Sequence, residues 1–283
     1  MIMMNSNVTR VVRKVLFILC VGFLVFCVFH IKPQRAEAAK NTSVKIQVNN
    51  KKVKLELLQG KIKSEKGKLY FYKEGRKKSY RGGFFLYKKQ VYYAAKTGVL
   101  LTGWQKIRGN YYFFTRDRGR MVRDKEVELV SINPYGIVKS KKGMKRAKTY
   151  VKARQIVEKI SKASDSKEKK LYQCYLWLEK FPYHQYRTLE EVNLKSAWDL
   201  EYANDIFQNK QGCCVSEASA FAMLAVACGY KKVTLCADGG HSWVDINYKL
   251  YDPLFAEARD FASNYNANYS DYRRNPLIKR RYN

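Results

Sequence analysis

Between Gly60 and Gly119 the chain repeats itself loosely: "GKLYFYKEG" ends at Gly75, "KQVYYAAKTG" at Gly98 and "GWQKIRGNYYFFTRDRG" at Gly119, a period of 23 and then 21 residues. Each unit sets two or three aromatics a few positions ahead of a glycine. Units this short cannot close a core alone. Each reads as a hairpin, turned at the glycine, whose aromatic face is covered by the next one, which makes a small β-solenoid. The preceding "SVKIQVNNKKVKLELL", with Asn49-Asn50 between two alternating runs, reads as a further hairpin.

The chain carries 55 Lys+Arg against 24 Asp+Glu, a formal charge of +31, and the excess is uneven. Lys40 to Lys145 hold 28 basic residues against 7 acidic, whereas Arg146 to Asn283 hold 22 against 16. The basicity therefore belongs to the hairpin module. Such a surface attracts anionic polymers.

Residues 1–39 combine a basic start (Arg10, Arg13, Lys14), the apolar run "VLFILCVGFLVFCVF" and Ala36-Glu37-Ala38. The run is short for a membrane span, and the small-x-small triplet suits a signal peptidase, so the segment reads as an export signal cleaved near Ala38 or Ala39. Retention as an N-terminal anchor is the alternative. Cleavage implies a secreted or wall-associated bacterial protein with no stable membrane insertion. Export also argues against nucleic acid as the partner of the basic, aromatic module. Five cysteines remain after cleavage: Cys174, Cys213, Cys214, Cys228 and Cys236. They are too few for a disulfide scaffold, and no C-x-x-C suggests zinc. No acidic calcium loop is visible either, so neither metal nor cofactor is expected.

The third repeat, Gly103-Trp104 through Tyr111-Tyr112-Phe113 to Gly119, resembles the choline-binding and glucan-binding repeats of bacterial surface proteins; the first two units are degenerate. The resemblance implies anionic cell-wall polymers as partners and makes Trp104, Tyr111 and Tyr112 candidates for wall binding. The competing role for these rings is hydrophobic glue between hairpins.

After Gly143 the pattern changes. "KRAKTYVKARQIVEKISKAS" and "SKEKKLYQCYLWLEKF" space apolar residues by three and four, with Ser164 or Ser166 as an N-cap between them. "LKSAWDLEYANDIF" is a third helix, and "CCVSEASAFAMLAVACGY" a fourth that stops at Gly229. "KKVTLCA", "HSWVDIN" and "KLYDPLF" then read as strands. Helices followed by an antiparallel sheet make this part α+β. The division expected is residues 1–39 as signal, 40–144 as hairpin module and 145–283 as a second domain.

After residue 39 the chain has two histidines, His184 and His241. His184 lies in the turn sequence "FPYHQY". His241 opens "GGHSWVDINYKLYDP", where the strand positions the ring and a short return brings Asp252 onto the neighbouring strand. A cysteine nucleophile needs such a base, and the base a carboxylate. Asp245, two strand steps from His241 on the same face, is the alternative carboxylate. Gly-x-Cys followed by Ala four and Phe seven residues later, His-x-Trp on a strand and Tyr-Asp-Pro resemble the transglutaminase-like superfamily of papain-type folds over roughly residues 145–255. The resemblance implies a papain-like core with Cys214 as nucleophile, His241 as base and Asp252 as its orienting carboxylate. Trp198 and Trp243 are candidate aromatics at the oxyanion or the site wall.

Cys213 sits one turn before Glu217, whose carboxylate would oppose a thiolate, which leaves the helix start to activate Cys214. The activity implied is acyl transfer on protein or peptide amides through a thioacyl enzyme. Hydrolysis by a cysteine peptidase or amidase, or a noncatalytic wall-binding protein on a papain-like scaffold, are the alternatives.

Overall fold

The computed structural model describes residues 45–48, 51–55, 57–188 and 197–282. The export segment, the Asn49-Asn50 turn and the first residues of the third helix read from sequence lie outside them. No helix among the described residues is long and apolar enough to cross a membrane.

The described residues begin with five antiparallel hairpins: β1–β2 (Lys45–Val48, Lys51–Lys54), β3–β4 (Gly60–Glu65, Lys68–Lys73), β5–β6 (Gly83–Tyr87, Gln90–Ala94), β7–β8 (Gly103–Ile107, Asn110–Phe114) and β9–β10 (Lys125–Val127, Val130–Ile132). From β3 on, the loops are residue pairs, Lys66-Gly67, Lys88-Lys89, Arg108-Gly109 and Glu128-Leu129, all with positive φ between 46° and 85°. Two successive left-handed residues give the loop the right-handed twist of the strands it joins. The repeat glycines Gly75, Gly98 and Gly119 are thus not the hairpin turns that the sequence suggests. They sit after β4, β6 and β8, in the turns that lead to the next hairpin.

Single backbone hydrogen bonds stitch the stack. The N–H of Leu100 donates to Leu69 O at 2.8 Å, that of Met121 to Val91 O at 2.7 Å and that of Val138 to Tyr111 O at 3.3 Å. Each link between hairpins thereby lies on an earlier one. Phe71, Phe85 and Tyr92 fill one layer of the stack, and Leu86, Val91, Tyr112 and Phe114 another.

The last hairpins share a core with the rest of the chain. Trp104, Phe113, Val130 and Ile132 pack with Ala147, Tyr150 and Ala153 of α1 (Lys141–Ile160). Trp104 stacks on Tyr150 with ring centroids 6.1 Å apart, and its Nε1 donates to Glu128 Oε2 at 2.8 Å. The Arg116 guanidinium pairs with the same carboxylate, and Arg154 of α1 donates to the Trp104 carbonyl. A buried acid at a hairpin loop is tolerated because both oxygens are occupied.

Ser140 caps α1, and Ser166, not Ser164, caps α2 (Lys167–Leu178), each hydroxyl accepting an N–H three residues on. α3 (Trp198–Asn204) runs into one π turn, Asp205–Asn209, which Lys210 ends at φ 60°. α4 (Cys214–Cys228) has 13 of its 15 residues buried, which makes it the central helix, and Gly229 at φ 96° closes it. It lies against an antiparallel sheet of order β14-β13-β12-β11-β15: β11 (Val233–Ala237), β12 (Ser242–Ile246), β13 (Lys249–Tyr251), β14 (Tyr265–Ala267) and β15 (Ile278–Arg281). The architecture is mixed α and β, with hairpins first and a helix-and-sheet region after. The strand expected over "KLYDPLF" ends at Tyr251. Asp252 instead caps α5 (Pro253–Ala258), because a proline at the first helical position has no N–H to lose and the aspartate satisfies that of Phe255.

One buried ion cluster ties helices to sheet. Arg146 of α1 makes two bonds to Asp199 of α3, 2.6 and 3.0 Å. The Tyr282 hydroxyl and Arg280 of β15 also donate to that carboxylate.

Candidate active site at the start of the central helix

The chain enters α4 through Gly212, where a Cβ would come within 2.4 Å of the Ser216 Cβ. Only glycine lets the first turn of the helix close over this segment. The neighbouring strand-like stretch holds it from outside: His184 N–H donates to Gly212 O at 2.8 Å, and Gly212 N–H to Pro182 O. The His184 ring stays in an exposed loop, against Tyr186.

Cys213 is the N-cap of α4 and Cys214 its first residue; both are buried, 1 % and 4 % exposed. The Cys213 sulfur lies 3.7 Å from Ser216 Oγ, the Ser216 hydroxyl donates to Asp205 Oδ2 at 2.9 Å, and Arg187 clamps Asp205 through two bonds. The Cys214 thiol, the amides of Ser216 and Val215 and the Ser216 hydroxyl lower the Cys213 thiol to about 6, against burial, which raises it. Cys214 is correspondingly raised, by the Cys213 sulfur first and by burial second. The amides of Ser242 and Val215 pull Cys214 the other way, towards thiolate. Ser242 directly follows His241, so the Cys214 sulfur lies beside the histidine's own backbone.

The argument from Glu217 against a charged Cys213 does not hold. Glu217 is 2 % exposed, and burial, then the carboxylates of Glu257 and Asp252, raise it well above the usual range. A neutral carboxyl opposes no thiolate.

Gly239, at φ 89°, turns the chain into His241, whose N–H donates to Asp238 Oδ1 at 2.9 Å while Asp238 pairs with Arg274. The imidazole stacks on Phe255, with centroids 4.0 Å apart, and its Nε2 lies 2.6 Å from Asp252 Oδ2. That oxygen also accepts from the Tyr272 hydroxyl at 2.7 Å, and Oδ1 accepts the Phe255 N–H. Burial, then the Asp252 charge, raise the Tyr272 phenol, which keeps it a donor. With Nε2 held by the carboxylate, Nδ1 is the nitrogen left to exchange a proton. A thiol at a helix start, next to the backbone amide that follows a histidine whose tautomer is tethered, has two of the parts that nucleophilic catalysis uses.

The remaining candidates go elsewhere. Asp245 Oδ1 accepts the N–H of Tyr248 in the β12–β13 turn and does not meet His241. Trp243 is fully buried on the sheet face away from α4, with its Nε1 on Tyr269 OH and its ring near His241 and Tyr272. Trp198 packs on Tyr202 and under the Arg280 guanidinium, next to the ion cluster. Trp104, Tyr111 and Tyr112 are buried in the hairpin stack and its junction with α1, so they present no open aromatic box. Residues that sequence reasoning did not reach include Phe255 and Tyr272. The cap signal Asp252-Pro253 pointed to a helix that would carry Phe255. Nothing local pointed to Tyr272, which arrives from 20 residues further along.

No family model matches this chain, and neither does any curated protein. Solved structures with some likeness include the choline-binding domain of Spr1274 from Streptococcus pneumoniae, at 20 % identity and TM-score 0.26, covering 29 % of this chain and 95 % of that one. CbpJ from Streptococcus pneumoniae TIGR4 has 16 % identity and TM-score 0.21 over 34 % of this chain and 40 % of its own. Choline binding protein F from the same species, solved in the presence of a peptidoglycan analogue, has 18 % identity and TM-score 0.21 over 34 % and 39 %. At these scores the likeness assigns neither ligand nor activity.

Proposed function

We propose that this chain is an exported cysteine acyltransferase of the transglutaminase-like type, acting on protein or peptide amides and retained at the bacterial cell wall by its basic hairpin module. The observation that carries the reading is the His241–Asp252 contact of 2.6 Å, with the Cys214 sulfur beside the amide that follows His241. In the proposed cycle Cys214 attacks an amide carbon, and His241 accepts the thiol proton and returns it to the departing amine. Asp252, steadied by Tyr272, keeps the imidazole in one tautomer. The N–H groups at the start of α4 favour the oxyanion. A primary amine then takes the acyl group. Wall retention rests on charge: the 28 basic residues against 7 acidic between Lys40 and Lys145 suit anionic wall polymers.

The test supplies a glutamine-containing protein and a labelled primary amine, and follows incorporation by mass spectrometry in the wild type, Cys214→Ala and Cys213→Ala. Incorporation lost in Cys214→Ala and kept in Cys213→Ala is the expected result. Loss in a folded Cys213→Ala alone would move the nucleophile to that residue. New peptide termini or ammonia without incorporation would make the enzyme a hydrolase, and none of these across varied substrates would leave a noncatalytic scaffold.

A further inference from the structure

Two cysteines outside the proposed active site meet in the helical layer. Cys174 lies on the buried face of α2 with Leu171, Tyr175 and Leu178, and Cys228 is the last residue of α4. Their sulfurs are 3.9 Å apart, although 54 residues separate them in sequence. Among the described residues they are the two non-adjacent cysteines whose sulfurs touch. Cys213 is turned to Ser216, and Cys236 lies in a separate cluster with Trp243 on the other side of the sheet. Cys213 and Cys214 are joined by a trans peptide, which holds their Cα atoms at about 3.8 Å, closer than an ordinary disulfide spans.

Access differs between the two. Cys174 is fully buried, whereas Cys228 is partly exposed and lines a cleft of about 680 Å³ between the hairpins and the helices. Lys68, Lys162 and Lys170 line the same cleft, along with Arg116 and Arg154, which are paired to Glu128 and Glu158. These cations draw an anionic small-molecule disulfide such as oxidised glutathione towards the more open sulfur. We propose that Cys174 and Cys228 form a disulfide that staples α2 to the C-terminal end of the central helix, installed by thiol–disulfide exchange with a small-molecule or protein disulfide. The Cys228 thiolate attacks one sulfur of the oxidant and releases the first thiol. Cys174 loses its proton and displaces the second, so one protein disulfide and two reduced thiols replace two protein thiols and one disulfide. The Cys228 sulfur first, and burial second, raise the Cys174 thiol, which makes it the slower, resolving partner.

This inference is independent of the acyl-transfer reading. The test takes the reduced full chain, exposes it to excess oxidised glutathione, caps free thiols with maleimide and digests with chymotrypsin, which cuts after Phe221 and Leu224 and so parts Cys228 from Cys213 and Cys214. A cross-linked pair of peptides carrying Cys174 and Cys228, both missing from the maleimide-labelled set, is expected. The thermal midpoint should rise on oxidation by roughly 5–10 °C. Cys228→Ser, the milder variant because that side is partly exposed, should remove the rise. Glutathione adducts at Cys228 without a cross-link, a cross-link from Cys174 to Cys213 or Cys214, or retention of both thiols would each overturn it.

Discussion

Glu217 is an acid enclosed in the central helix, and the enclosure has a measurable consequence. Its carboxyl is raised by burial first, then by the charges of Glu257, Asp252, Cys213 and Glu179, and its Oε1 has no hydrogen-bond partner among the described residues. The folded chain therefore keeps this proton at pH values where the unfolded chain, with an ordinary value near 4.5, has released it. Because the native state binds the extra proton, stability falls as pH rises above that value, by at most about 1.4 kcal/mol per pH unit for one group. Replacing the carboxyl by an amide of the same shape removes this dependence. Glu217→Gln should thus gain on the wild type by up to about 2.7 kcal/mol between pH 5 and pH 7, a relative shift in urea midpoint of about 1 M. Comparing the two proteins removes most of the opposite contribution of Cys213, whose lowered value adds stability as pH rises through its own range. Urea unfolding at pH 5, 6 and 7 reads the effect directly. Parallel curves, with the stability difference unchanged over that range, would show that Glu217 is ionised in the folded chain and would refute the reasoning.

Asp199→Ala should lose about 3–5 kcal/mol in urea unfolding, since it strands the buried Arg146 guanidinium; pairing Asp199→Leu with Arg146→Met should recover much of that loss. Trp104→Ala should cost about 3–5 kcal/mol, because the indole is a core element stacked on Tyr150, and should leave wall binding of the folded fraction unchanged. Binding of the chain to isolated anionic walls should fall steeply with added salt; retention in high salt that choline releases would indicate a specific pocket in place of charge.

Several features were legible in the sequence because they depend on neighbours along the chain. Aromatic–glycine periodicity announced stacked hairpins, apolar spacing announced the helices, and Gly229 marked the end of the central one. Lysine and arginine excess located the basic module, and the scarcity of histidine singled out His241, now seen 2.6 Å from Asp252. Other features were decided by packing between distant segments. Pairs such as Lys88-Lys89 and Glu128-Leu129 carry no turn signal, yet they take left-handed conformations because the strand pairing on either side requires them. Trp104, an apparent ligand aromatic, became core because α1 covers its face of the hairpin. Glu217 reads as an ordinary helix acid of the first turn; enclosure by the sheet and helices neutralises it, and with it goes the sequence-level ground for setting Cys213 aside. Tyr272 on Asp252, and the Cys174–Cys228 contact, join residues 20 and 54 positions apart. Local propensity acts over one turn of helix or one strand, whereas burial, charge pairing and thiol contact depend on which segments meet, and only the folded chain brings those together.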